Sequence, residues 1–153
     1  MTGQQSVTHD DIDSIAAWTV IRAARELARR LETELDPLGL SPVEFGLLAQ
    51  LAAGDGLSQA DLARAVGVRP QSVTPLVVGL TGRSLIARGV DGGRGRHSRI
   101  RLTDEGRALL ADAWPVVTAS NAWFGAESAR AAAVVAALRP VLGSAAKDDH
   151  EHA

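Results

Sequence analysis

Apolar residues recur every three or four positions along most of this chain. Leu27, Leu31 and Leu35 lie four apart, with Ala16, Ala23 and Ala24 upstream, and this stripe predicts one amphipathic helix over about 11–36. The stripe is long for so small a chain, which implies packing against another subunit. Leu38-Gly39-Leu40 interrupts it. Ser41-Pro42-Val43-Glu44 then starts a second helix: Ser41 caps, Pro42 suits the first helical position and Glu44 closes a capping box. That helix carries Phe45, Leu47, Leu48 and Leu51 and stops at Gly54. Ser58 and Asp61 start a third, short helix that ends at Gly67, and a fourth spans about 69–81. Two short runs, 85–88 and 98–102, flank the turn Asp91-Gly92-Gly93-Arg94-Gly95 and predict a β-hairpin. Thr103 caps a fifth helix bearing Leu109, Leu110, Ala113, Trp114 and Val117. An alanine-rich last helix covers about 127–142. Residues 1–10 and 144–153 are polar and are expected to fray.

This order predicts a single, mainly α domain of winged helix-turn-helix type. Gly67 suits the left-handed turn between the third and fourth helices. Leu62, Val66, Val68, Val73 and Leu76 surround that turn, and Ala63 keeps the crossing close. A fourth helix lying in the major groove would present Arg69, Gln71, Ser72 and Thr74. Gln pairs with adenine, Arg with guanine, and Ser or Thr with bases or phosphate. Pro70 is harmless in a first turn. Pro75 either bends the helix or marks a helix that begins later, near Gln71. The hairpin would be the wing, with Arg94 and Arg96 at its tip, where arginine suits a narrow minor groove, and His97 in the wing as a phosphate donor. Arg99 and Arg101 alternate with Ile100 and Leu102, so the arginines share one face and the apolar pair the other.

Charge supports this reading once its distribution is considered. The net charge of the 153 residues is −2, an unexpected value for a nucleic-acid binder. Yet between Arg64 and Arg101 stand eight arginines and a single acid, Asp91, so a basic middle lies between acidic flanks. Aromatic residues make up 3%, with no Tyr, which argues against a base-stacking platform for single strands or RNA. The absence of cysteine excludes disulfides, thiolate catalysis and thiol redox sensing. No apolar run reaches membrane-spanning length, and the first residues lack the pattern of a signal peptide, so a cytoplasmic protein without a membrane partner is expected. The acids and histidines from Asp148 to His152 lie in a polar tail with nothing to fix ligand geometry, so no metal is expected. No glycine-rich phosphate loop is present, and Glu44 and Asp61 serve as helix-start residues. Neither an enzyme nor a cofactor is expected.

With those residues in place, the chain resembles the MarR family of bacterial regulators over about 10–142. The resemblance rests on Leu85-Ile86-Ala87-Arg88, on Asp91 in the wing, and on Ile100-Arg101-Leu102-Thr103-Asp104-Glu105-Gly106. It implies a homodimer held by helices within 11–36 and 104–142, with a DNA-binding lobe at 41–102 and its wing at 85–102. It also implies repression from pseudo-palindromic duplex sites and release by a small aromatic or phenolic molecule. The chain departs from the family pattern at Pro75, where Arg is common, at Val78, where an acid is common, and at Ser84, where Gly is common. The paired wing arginines become Gly95-Arg96, with Arg94 before them.

Trp18 and Arg22 lie four apart on one helix face. With Phe45 and Trp114 they would line an apolar pocket carrying one cation, suited to an aromatic acid. In the competing reading the tryptophans pack the dimer core and Arg22 pairs with Glu26. The alternative function, motivated by Pro75 and the altered wing, is a winged-helix protein-interaction module with weakened or non-specific DNA binding.

Overall fold

The computed structural model describes residues 6–54, 56–89 and 99–143. The N-terminal stripe is divided in two. Helix α1 spans His9–Asp13 and α2 spans Ala16–Leu35, which corrects the single helix expected over 11–36. The Ser14 hydroxyl donates to the Asp11 carbonyl at 2.7 Å, and Ile15 is extended at φ −82°, ψ 106°. A side chain competing for a helix carbonyl ends the helix there. Thr8 and Asp11 form a reciprocal capping box, so helical structure begins inside the segment expected to fray. A 3-10 turn, Asp36–Leu38, follows α2, and Gly39 closes it at φ 65°.

Helix α3 (Pro42–Ala53) starts with the Ser41–Glu44 capping box. Helices α4 (Gln59–Val66) and α5 (Pro70–Gly82) follow, then strands β1 (Ile86–Gly89) and β2 (Arg99–Leu102), and helices α6 (Asp104–Ala119) and α7 (Ser128–Leu138). Helix α7 stops short of the expected 142; Arg139-Pro140 follows its last residue, and proline cannot continue the backbone ladder.

The strands pair antiparallel with Ile86 opposite Leu102 and Arg88 opposite Ile100. A third segment joins them: Leu57 and Ile100 exchange backbone hydrogen bonds at 3.1 and 2.8 Å. The hairpin is thereby tied to the loop before α4. The core lies where α3, α4 and α5 meet the sheet and α6. Leu35, Leu47, Leu48, Leu62, Val73, Val77, Leu80 and Ile100 are fully buried there. Ile100 and Leu102 point inward while Arg99 and Arg101 face out, as the alternation predicts.

The N-terminal helices are far less covered. In α2 only Leu35 is buried, and Trp18, Val20 and Ile21 remain exposed, as does Val135 of α7. Trp123 follows α6 in a 3-10 turn and stacks under the Arg30 guanidinium at 4.2 Å, a contact not foreseen from spacing.

Candidate nucleic-acid interface

The two helices of the lobe are set by local chemistry. Ser58 caps α4 and Asp61 returns a bond to the Ser58 backbone at 3.2 Å. Hydrogen bonding to Ser58, aided by Arg64, holds the Asp61 carboxyl below its ordinary range against the opposing effect of burial. Gly67 ends α4 at φ 71°, the left-handed turn expected there, and the Val68 amide donates back to the Ala63 carbonyl at 3.0 Å. Leu62 and Ala63 are buried at this crossing.

Helix α5 is amphipathic around that turn. Val73, Val77 and Leu80 are buried, whereas Arg69, Gln71, Ser72 and Thr74 are exposed. All four residues expected to read DNA therefore share the outer side of the lobe. Arg69 stands in extended conformation immediately before Pro70, as a pre-proline residue favours. The helix begins at Pro70 rather than later, so Pro75 lies in its interior. Proline leaves the Gln71 carbonyl without its usual donor. Gln71 is exposed, so water can supply one. Beyond Pro75 the helix exposes one large apolar side chain, Val78, at 65%.

Gln59, not singled out in the sequence, and Arg88, noted there only within the family motif, hold this face. The Gln59 side-chain amide donates to the Thr74 hydroxyl oxygen at 2.6 Å. Arg88 of β1 donates to the Gln59 carbonyl oxygen at 2.9 Å. The first residue of α4, the middle of α5 and the wing strand are thus linked. Gln59 lies 15 residues from Thr74 and 29 from Arg88, distances that no helical or strand periodicity exposes. At the other side of the hairpin Arg99 donates to the Gly56 carbonyl at 3.1 Å. Arg94, Arg96 and His97 lie outside the described residues.

The four residues expected at an effector pocket are only partly brought together. Phe45 and Trp114 meet, with ring centroids 6.0 Å apart and planes tilted by 35°. Phe45 is half-buried and Trp114 is 53% exposed. Arg22 pairs with Asp13 at 3.3 Å, across the break between α1 and α2. It does not pair with Glu26, whose carboxyl is held by Arg29 at 2.7 Å and thereby kept below its ordinary range. Trp18 faces Arg25, whose guanidinium lies 5.9 Å from the ring.

Comparison with known proteins agrees with this architecture. The sequence profile of the MarR family matches residues 38–97. The HTH-type transcriptional repressor Rv2887 of Mycobacterium tuberculosis is 34% identical over 110 residues, covering 72% of this chain and 79% of its own. The structure of that mycobacterial protein in complex with salicylic acid superposes with a TM-score of 0.67 at 31% identity, over 86% of this chain and 98% of that one. The repressor CouR, bound to a 23-mer DNA duplex, superposes with a TM-score of 0.78 at 23% identity, over 89% of this chain and 98% of that one, and so shares the fold. The relatives are regulators of transcription and not enzymes. A turn at Gly67 between crossed helices, a hairpin wing and a 34%-identical repressor converge on one conclusion: this chain belongs to the MarR family of winged-helix transcription regulators.

Proposed function

We propose that the protein is a homodimeric repressor that binds a pseudo-palindromic DNA duplex and releases it when a small aromatic acid binds. The observation that carries the DNA reading is the exposed set Arg69, Gln71, Ser72 and Thr74 on α5, opposite the buried Val73, Val77 and Leu80. Such a helix offers donors and acceptors to base edges in the major groove. Arg94 and Arg96 would extend the contact from the wing into the minor groove, and His97 would add a phosphate donor. The mycobacterial relative is itself a repressor.

The dimer reading rests on uncovered apolar surface. Val20 and Ile21 of α2, Val135 of α7, and Val141 and Leu142 beyond it are all exposed in the single chain. An apolar helix face of this kind is buried by association. The segments 11–36 and 104–142 would then form the dimerisation region and 41–102 the DNA-binding lobe, and a regulator that binds the chromosome would work in the cytoplasm. The effector reading rests on the Phe45–Trp114 pair at 6.0 Å, with Trp18 and Arg22 supplying a further ring and a cation. Salicylic acid bound by the 31%-identical relative supports an aromatic acid as the ligand class.

The deciding experiment is selection of purified protein on random duplexes at two salt concentrations. The expected result is a two-fold symmetric site with half-sites about 10 bp apart, bound with an affinity that falls as salt rises. A protein that retains no duplex at either salt would instead act through protein partners.

A further inference from the structure

We propose that Arg88 and Gln59 are positioning residues that fix the Thr74 hydroxyl as a hydrogen-bond donor toward DNA, so that the wing strand sets what the recognition helix can read. This rests on the DNA-binding reading above. The argument starts from the inventory of donors. A guanidinium has donors only. Arg88 therefore holds the Gln59 amide with its oxygen inward, at 2.9 Å. That orientation turns the Gln59 NH2 group toward Thr74, and NH2 also only donates. At 2.6 Å it occupies a lone pair of the Thr74 oxygen. The Thr74 proton must then point elsewhere, and no acceptor for it is found among the described residues. Thr74 is exposed, on the same helix as Gln71 and Ser72.

A hydroxyl locked in this way seeks an acceptor. Duplex DNA offers phosphate oxygens and, in the major groove, guanine N7 and O6, adenine N7 and thymine O4. The amino groups of cytosine and adenine can meet only the one lone pair that Gln59 leaves open. A free threonine would accept or donate equally well. The relay takes one of its two lone pairs and leaves the proton outward, which biases Thr74 toward donating, and the origin of that bias lies in Arg88 on β1, outside the recognition helix.

The test uses the full-length protein and the operator that wild type selects. Gln59→Glu replaces a donor by a carboxylate, which can only accept from Thr74 and so turns its proton inward. Thr74→Val removes the hydroxyl at nearly constant shape. Loss of one hydrogen bond corresponds to about tenfold in affinity. Gln59→Glu also adds a negative charge, and the double variant separates the two effects. The cost of Gln59→Glu is expected to be about tenfold larger with Thr74 present than in the Thr74→Val background. A panel of operators changed one base pair at a time distinguishes the acceptor. Loss of preference at one base pair identifies a base edge, and equal loss across the panel identifies a phosphate; either agrees with the proposal. Arg88→Lys keeps a donor-only cation and retains the wild-type profile, whereas Arg88→Met flattens it in the same way as Thr74→Val, with the melting temperature of free protein measured alongside. Equal cost of Gln59→Glu in both backgrounds would overturn the relay, as would unchanged binding by Thr74→Val, while leaving DNA binding by wild type intact. Failure of wild type to select any duplex would overturn both readings.

Discussion

Gly106 lies so close to Leu85 that a Cβ added to the glycine would stand 2.1 Å from the Leu85 carbonyl oxygen. Backbone cannot yield as a flexible side chain can. The same carbonyl accepts from the Thr103 amide at 3.2 Å, and the Thr103 hydroxyl donates to the Ser84 carbonyl at 2.6 Å while capping the Gly106 amide at 3.0 Å. Helix α6 is thereby stapled to the strand that begins the wing. Gly106→Ala is expected to destabilise the fold by about 3 kcal/mol, the upper range for forced overpacking. Urea unfolding followed by circular dichroism measures it. A change under about 0.5 kcal/mol would mean that α6 can shift away from β1, since surface substitutions fall in that range.

Ser84 is a second consequence of this junction. It has φ +60°, the only non-glycine residue among those described with a positive φ. A side chain there is strained, which accounts for glycine being common at this position in the family pattern. Ser84→Gly keeps the carbonyl that Thr103 uses. It relieves strain of about 1–2 kcal/mol and adds unfolded-state entropy of about 0.5–1 kcal/mol. A net gain of up to about 1 kcal/mol is expected, read as a higher urea midpoint with an unchanged slope. A lower midpoint would show that the serine side chain contributes something the strain argument omits.

The start of α4 makes stability depend on pH. The Asp61 carboxyl is held below its ordinary value of 3.8, first by its hydrogen bonding to Ser58. A depressed acid contributes stability that is complete above its unfolded value and lost as pH falls through its folded one. Ser58→Ala removes the cap and should cost about 1 kcal/mol at neutral pH. The gap between the two proteins should narrow as pH falls below 3.8. Thermal melts from pH 7 down to pH 3 test this, and a gap that stays constant would place the stabilisation in the Ser58 side chain alone.

Gln71 and Arg69 should separate in their effects on DNA. Gln71 is exposed on α5 and suited to two bonds with adenine. Gln71→Ala is expected to cost about 1–3 kcal/mol on the selected operator and to relax preference at one base pair. Arg69 precedes the helix as its N-cap. If it meets phosphate, Arg69→Ala weakens all duplexes alike and lowers the salt slope by about one. Binding isotherms at three salt concentrations distinguish the two. A Gln71→Ala profile equal to wild type would remove Gln71 from the base-reading set.

Much of this architecture is legible in the sequence because its signals are local. Ser41, Ser58 and Thr103 cap helices through bonds three residues away. Gly67 announces its own turn, and the alternation from Arg99 to Leu102 fixes which side chains face the core. What escapes is non-local or depends on competition. The break at Ser14 depends on a hydroxyl outcompeting a backbone donor inside a continuous apolar stripe. Gln59 and Arg88 meet only because the chain returns β1 to the start of α4. Leu57 joins the hairpin as an isolated bridge too short to carry an alternating pattern. At the candidate effector site, Phe45 and Trp114 are adjacent, yet Arg22 finds Asp13, a residue just across that same unforeseen break.

That last pair leads to a prediction for ligand binding. The Arg22–Asp13 bridge spans 3.3 Å and both side chains are well exposed, 59% and 66%. Exposed pairs of this kind contribute about 0–1 kcal/mol, so a ligand carboxylate can displace Asp13. Salicylate titration, followed by tryptophan fluorescence, is the measurement. Trp114→Leu and Phe45→Ala should each weaken binding by about tenfold or more, since an aromatic contact and its burial are lost. Arg22→Ala should weaken it by a similar factor through loss of the charged partner. Asp13→Asn should do the opposite and strengthen binding by about two- to fivefold, because the cation no longer has a competitor. If Trp114→Leu weakens binding while both Arg22→Ala and Asp13→Asn leave it unchanged, the rings form the site and another group holds the carboxylate. If none of the four substitutions alters the titration, the Phe45–Trp114 pair is packing between α3 and α6 and the effector binds elsewhere.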